Sequence, residues 1–103
     1  PIVLHGASSV PQYLVDQINE YGGNMPGAKG VPEEMLRQAA SMAVCKINID
    51  SDLRMAMTAT IRKYFKENPS HFDPRQYLGD GRANVKAIVE HKIKDVLGSD
   101  NRV

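Results

Sequence analysis

The first nine residues, Pro1-Ile-Val-Leu-His-Gly-Ala-Ser-Ser9, constrain the fold more than any other stretch of this chain. Residues 2–5 have the character of a short buried strand and are too short for a helix. They run straight into His-Gly and then into small residues with hydroxyls. A buried parallel strand needs neighbouring strands and cover on both faces, and nothing precedes this one. The chain is therefore expected to be the last part of a larger protein. A strand that ends on histidine and opens into a Gly/Ser loop also sets a metal-ligand residue type beside a phosphate-binding type of backbone.

Composition narrows the field further. At 103 residues the chain suffices for one small domain and not for two. Its formal net charge of +1, with Lys and Arg dispersed, gives no argument for a nucleic-acid or acidic membrane partner. No apolar run approaches the roughly 18 residues of a membrane span, and these residues give no expectation of a signal peptide. Cys45 alone excludes an internal disulfide and a multi-cysteine zinc site. It suits a reducing compartment.

The element order reads as strand, helices, strand, helices. Pro11 sets up a helix to about Tyr21, with Leu14, Val15 and Ile18 on its apolar face. Gly22-Gly23 ends it, and the loop from Gly22 to Gly30 is glycine-rich. Val31-Pro32-Glu33-Glu34 restarts a helix, with acidic residues in the first turn as the dipole favours. Val44 to Asp50 is a second strand, with Cys45, Ile47 and Ile49 on an apolar face and Lys46, Asn48 and Asp50 on the other. Because this strand lies between helices, a βαβ arrangement with covered faces is expected. Ser51 or Asp50 caps a helix to about Glu67, striped by Leu53, Met57, Ile61 and Tyr64. A polar connector spans 68–79. The final helix runs from about Asp80 to Leu97 on Val85, Ile88, Val89, Ile93 and Val96, and Gly98 stops it.

Three groups carry chemistry. In His5-Gly6-Ala7-Ser8 the imidazole can bind a divalent metal, Gly6 permits close backbone approach, and Ser8 can donate to a phosphate. The plainer alternative is a histidine that ends a strand through ordinary hydrogen bonds. Asn48-Ile49-Asp50-Ser51-Asp52 joins a strand end to a helix start, where free amides and the helix dipole favour an anion; the alternative is a simple cap. Arg54, one turn on, can clamp a phosphate or stand solvated on the surface. His71 and His91 read as surface residues, Cys45 as inert packing, and Met55 and Met57 as helix packing.

Together these residues resemble the C-terminal part of class II, metal-dependent fructose-bisphosphate aldolases. The matching text is Leu4-His5-Gly6-Ala7-Ser8-Ser9, Lys46-Ile47-Asn48-Ile49-Asp50-Ser51-Asp52-Leu53-Arg54, Asp73-Pro74-Arg75-Gln76-Tyr77-Leu78 and Gly98-Ser99. The resemblance implies an α/β fold: residues 1–103 as the last two β/α units of a single (β/α)8 TIM barrel plus C-terminal helices, with the N-terminal barrel strands absent. It implies His5 as one of three zinc ligands, and Gly6 and Ser8 as phosphate contacts beside a monovalent cation. Asn48, Asp50 and Ser51 are implied as contacts to substrate and phosphate. Arg54 is implied to hold the far phosphate in a neighbouring subunit's site, hence a homodimer or higher oligomer. The implied reaction is glycolytic and cytoplasmic: cleavage of fructose 1,6-bisphosphate to dihydroxyacetone phosphate and glyceraldehyde 3-phosphate through a zinc-stabilised enediolate. The other zinc histidines and the acid/base aspartate are expected outside this segment, which alone is expected to be inactive.

Tagatose-bisphosphate aldolases share most of these motifs, although the Gly-rich stretch at 22–30 looks more like the fructose branch. Two other classes compete with the enzyme: an inactive barrel fragment that associates through unpaired strands, and a phosphate-binding module indifferent to metal.

Overall fold

The computed structural model describes residues 1–5 and 9–102. The order is β1 (Ile2–Leu4), α1 (Gln12–Glu20), α2 (Glu33–Ala40), β2 (Val44–Ile47), α3 (Ser51–Glu67) and α4 (Pro74–His91), with a π-helical turn over Lys92–Val96. β1 and β2 are parallel neighbours, with Ile2 opposite Val44, Val3 opposite Lys46 and Leu4 opposite Ile47. The two helices between them form the connection that parallel pairing requires.

Two apolar clusters hold the elements together. Leu14, Val15 and Ile18 of α1 meet Met55, Ala56 and Ala59 of α3 and Ile88 of α4. Leu36 of α2 meets Ile47 of β2 and Val96 of the π turn. The molecule measures 50 × 34 × 17 Å, and a helix with its side chains is about 10–12 Å across. The short dimension therefore admits little beyond one helical layer over the strands. Ile2 is 54% exposed and Val3 43%, which is costly for parallel strands that ordinarily have both faces covered.

Several expectations change. β2 ends at Ile47 rather than Asp50, because its partner β1 ends at Leu4. Cys45 is exposed rather than packed inside. On α3 the expected stripe of Leu53, Met57, Ile61 and Tyr64 is only half-buried; the deepest face is Asp52, Met55, Ala56 and Ala59. His71 is half-buried, 2.7 Å from the Tyr64 hydroxyl.

The last helix begins at Pro74, inside the expected connector. The Asp73 side chain accepts from the Arg75 amide at 2.9 Å, and Pro74 occupies the first helical position, a strong combined start signal. Gly79 and Gly81 masked it, since glycine costs a helix about 1 kcal/mol against alanine. The two differ in surroundings. A methyl on Gly79 would meet open space, whereas one on buried Gly81 would collide with Met57 Sδ. Gly79→Ala is accordingly expected to raise stability by about 0.5–1 kcal/mol. Gly81→Ala should show no such gain in the same denaturation measurement.

Candidate functional site

The parallel register carries one step past the ordered ladder. The Asn48 amide donates to the Leu4 carbonyl at 3.2 Å, so the residues that follow the two strands lie side by side. As a result, His5 Nδ1 is 2.7 Å from the Asn48 side-chain amide. The imidazole is exposed. As placed, Asn48 Nδ2 donates to Nδ1, which leaves the neutral ring's proton on Nε2; turning the Asn48 amide over makes Nδ1–H the donor and leaves the Nε2 lone pair for a metal. Among the described residues no three His, Cys, Asp or Glu side chains gather closely enough to hold a metal ion. His5 thus fits as one ligand, while a catalytic zinc takes three from the protein.

The expected cap of α3 is corrected. Asp50 occupies the cap position, and its carbonyl accepts from Leu53 and Arg54, but no side chain caps the helix. The Asp50 carboxylate instead reaches forward to Arg54, 2.8 Å from the guanidinium. Both side chains are largely solvent-exposed (66% and 78%), so this pair orients the arginine and adds little stability. Ser51 is exposed at the start of α3, at the helix end that favours an anion. His5, Asn48, Asp50, Ser51 and Arg54 therefore all stand at or just beyond the C-terminal ends of β1 and β2. Gly6 and Ser8 lie outside the described residues.

A second polar group was not anticipated from the sequence. Lys92, 3% exposed, lies among Ser9, Glu33 and Asp52. Beside it His91 Nε2 is 2.6 Å from Glu33, and Nδ1 is 3.1 Å from Asp95. Hydrogen bonding to Glu33 raises the imidazole above its usual range; burial opposes this, and the charges of Glu33 and Asp95 reinforce it. Burial alone would raise the Glu33 carboxyl, but the hydrogen bonds and charges of Lys92 and His91 together hold it low. Protonated His91 therefore stabilises the fold fully below about pH 6.5. That contribution fades as pH rises through the elevated folded value. The ring is 45% exposed, so solvent screening limits the contribution to about 1 kcal/mol or less. A proton NMR titration is expected to show His91 ionising above the free-histidine value, with Glu33→Gln moving it down.

Residues 1–102 match the family model described as class-II fructose-bisphosphate aldolase. The chain belongs to the class-II fructose-bisphosphate aldolase family. Among aldolases it is 57% identical to the fructose-bisphosphate aldolase of Treponema pallidum, over 99% of this chain and 31% of that protein. It is 56% identical to that of Giardia intestinalis, over 91% of this chain and 29% of that protein. It is 45% identical to that of Thermus caldophilus, over 99% of this chain and 33% of that protein. The chain thus spans about a third of the length of these curated aldolases. No described helix is long and apolar enough to cross a membrane.

Proposed function

We propose that this chain is the C-terminal part of a single (β/α)8 barrel that cleaves fructose 1,6-bisphosphate to dihydroxyacetone phosphate and glyceraldehyde 3-phosphate, and runs the reverse condensation. One observation carries the reading: in a member of this aldolase family, His5 and Asn48 meet at 2.7 Å just past two adjacent parallel strands. That end of the strands is where barrel enzymes hold their active sites. The exposure of Ile2 and Val3 on β1 supports a complete barrel in which further strands cover them.

In this account His5 supplies one zinc ligand, and other barrel strands supply the remaining ones. When bound, the metal polarises the substrate ketone as a Lewis acid. Asn48 fixes the imidazole's orientation and tautomer, as partners of metal-bound histidines do. The uncapped start of α3 offers its amides, and Ser51 its hydroxyl, to one phosphate. Gly6 and Ser8 complete that phosphate site beside a monovalent cation. Asp50 keeps the Arg54 guanidinium extended into solvent, poised for the far phosphate at a neighbouring subunit's site in a homodimer or larger oligomer. A glycolytic role in the cytoplasm follows from this reaction.

The alternative tagatose-bisphosphate reading is not favoured, since the relatives at 45–57% identity bear the fructose-bisphosphate name. Paired assays of the full-length protein on the two bisphosphates test the substrate. Faster cleavage of fructose 1,6-bisphosphate is expected; a clear preference for the tagatose compound would overturn the assignment.

A further inference from the structure

The stripe Ile88–Lys92–Val96 descends one face of the last helical segment at intervals of four. Ile88 belongs to one apolar cluster and Val96 to the other. Lys92 sits at the seam between them. Its side chain is 4% exposed, yet the ammonium donates to Ser9 Oγ at 2.6 Å and Glu33 Oε1 at 2.8 Å and forms an ion pair with Asp52 Oδ2 at 2.7 Å. The Ser9 hydroxyl also donates to Asp52 Oδ2. Asp52 is completely buried, and its Oδ1 has no hydrogen-bond partner among the described residues. Burying a lysine and a carboxylate is weak support for stability when apolar side chains of the same volume could fill the seam.

The three partners come from three separate segments. Ser9 follows β1, Glu33 opens α2, and Asp52 lies in the first turn of α3. Two of these segments carry the proposed phosphate contacts: Ser9 is next to Ser8, and Asp52 is next to Ser51. Ser9 and Asp52 are 43 residues apart in the chain, and the cluster joins them both directly and through one ammonium.

We propose that Lys92 is a positioning residue for phosphate recognition: it sets the separation between the segment after β1 and the first turn of α3. This rests on the bisphosphate-aldolase reading for the role of those segments. A site assembled from two segments binds tightly only when both are held at the correct distance beforehand, because ordering them on binding costs affinity. Lys92 reaches neither substrate nor metal in this account, so its loss should register on phosphate affinity before it registers on metal.

The test uses the full-length enzyme, with wild type, Lys92→Met and the double variant Lys92→Met/Asp52→Asn, which leaves no uncompensated charge at the Lys92–Asp52 contact. Wild-type cleavage of fructose 1,6-bisphosphate first checks the aldolase reading on its own. For Lys92→Met we expect KM to rise about tenfold or more, and inhibition by inorganic phosphate to weaken by a similar factor. Bound zinc should equal the wild-type content, and kcat should change far less than KM. If Lys92→Met does not fold, the double variant must show the same split. A folded variant with wild-type KM and wild-type phosphate inhibition overturns the proposal, as does one whose loss lies entirely in kcat or in zinc content. Absence of cleavage by the wild type would instead overturn the aldolase reading, and direct titration with inorganic phosphate would then compare the same variants.

Discussion

Asp52→Ala is expected to lower the unfolding free energy by about 3–5 kcal/mol, the usual consequence of removing one member of a buried ion pair. Asp52 has no exposed surface and stands 2.7 Å from the Lys92 ammonium. Its removal leaves that ammonium buried with Glu33 as its remaining carboxylate and takes away the acceptor of the Ser9 hydroxyl. The contrast within the same motif is sharp. Asp50→Ala breaks an ion pair of nearly equal length, but both partners are mostly in solvent, so the expected loss is about 1 kcal/mol or less. Denaturant unfolding of the two variants beside wild type checks the difference. Equal losses would mean that the Asp52–Lys92 contact is not desolvated as described. Lys92→Met/Asp52→Asn should recover much of the stability lost in Asp52→Ala, because a pair in contact is not additive.

His5→Ala in the full-length enzyme is expected to lower zinc content and cleavage together, with cleavage falling about a thousandfold. That factor corresponds to the several kcal/mol that a Lewis-acid metal supplies to a barrier. Asn48→Ala is the informative companion. It keeps the imidazole but removes the contact at 2.7 Å that orients it, and the loss of such a partner typically costs about 10–100-fold in metal affinity or activity. Zinc content unchanged in His5→Ala would remove His5 from the ligand set. An Asn48→Ala variant with wild-type zinc affinity but raised KM would reassign Asn48 to substrate alone.

Much of the element order was legible because local signals agreed. The apolar face of α1, the proline starts at Pro11 and Pro32, and the acidic first turn of α2 lie where periodicity and dipole reasoning put them, whereas the buried face of α3 is turned from the expected stripe to Met55, Ala56 and Ala59. Two kinds of information were not local. The extent of β2 depends on the length of β1, which no pattern within residues 44–50 encodes. The inner face of the last helix is not apolar throughout, as its spacing alone suggests: Val89 and Ile93 are 37% and 40% exposed, while Lys92 is inside. A signal did exist. Lys92 lies four residues from both Ile88 and Val96, and Asp52 lies three, four and seven residues before Met55, Ala56 and Ala59. Two opposite charges that each fall on a core stripe are candidates for a buried pair, but only the fold shows that they meet.

The candidate site divides in the same way. Residue types at the ends of the two strands pointed to His5, Asn48, Asp50, Ser51 and Arg54, and these are the groups found at or just beyond the ends of β1 and β2. The contact of Asp50 with Arg54, in place of a helix cap, was not legible, because an aspartate at a helix start serves either purpose equally well by sequence.

The most direct test of the central claim is the cleavage of fructose 1,6-bisphosphate by the full-length protein before and after dialysis against a chelator, with zinc measured in the same samples. The account predicts cleavage that disappears as zinc is removed and returns when zinc is restored. Undiminished cleavage by the metal-free protein, or no cleavage by the zinc-replete wild type, would contradict it.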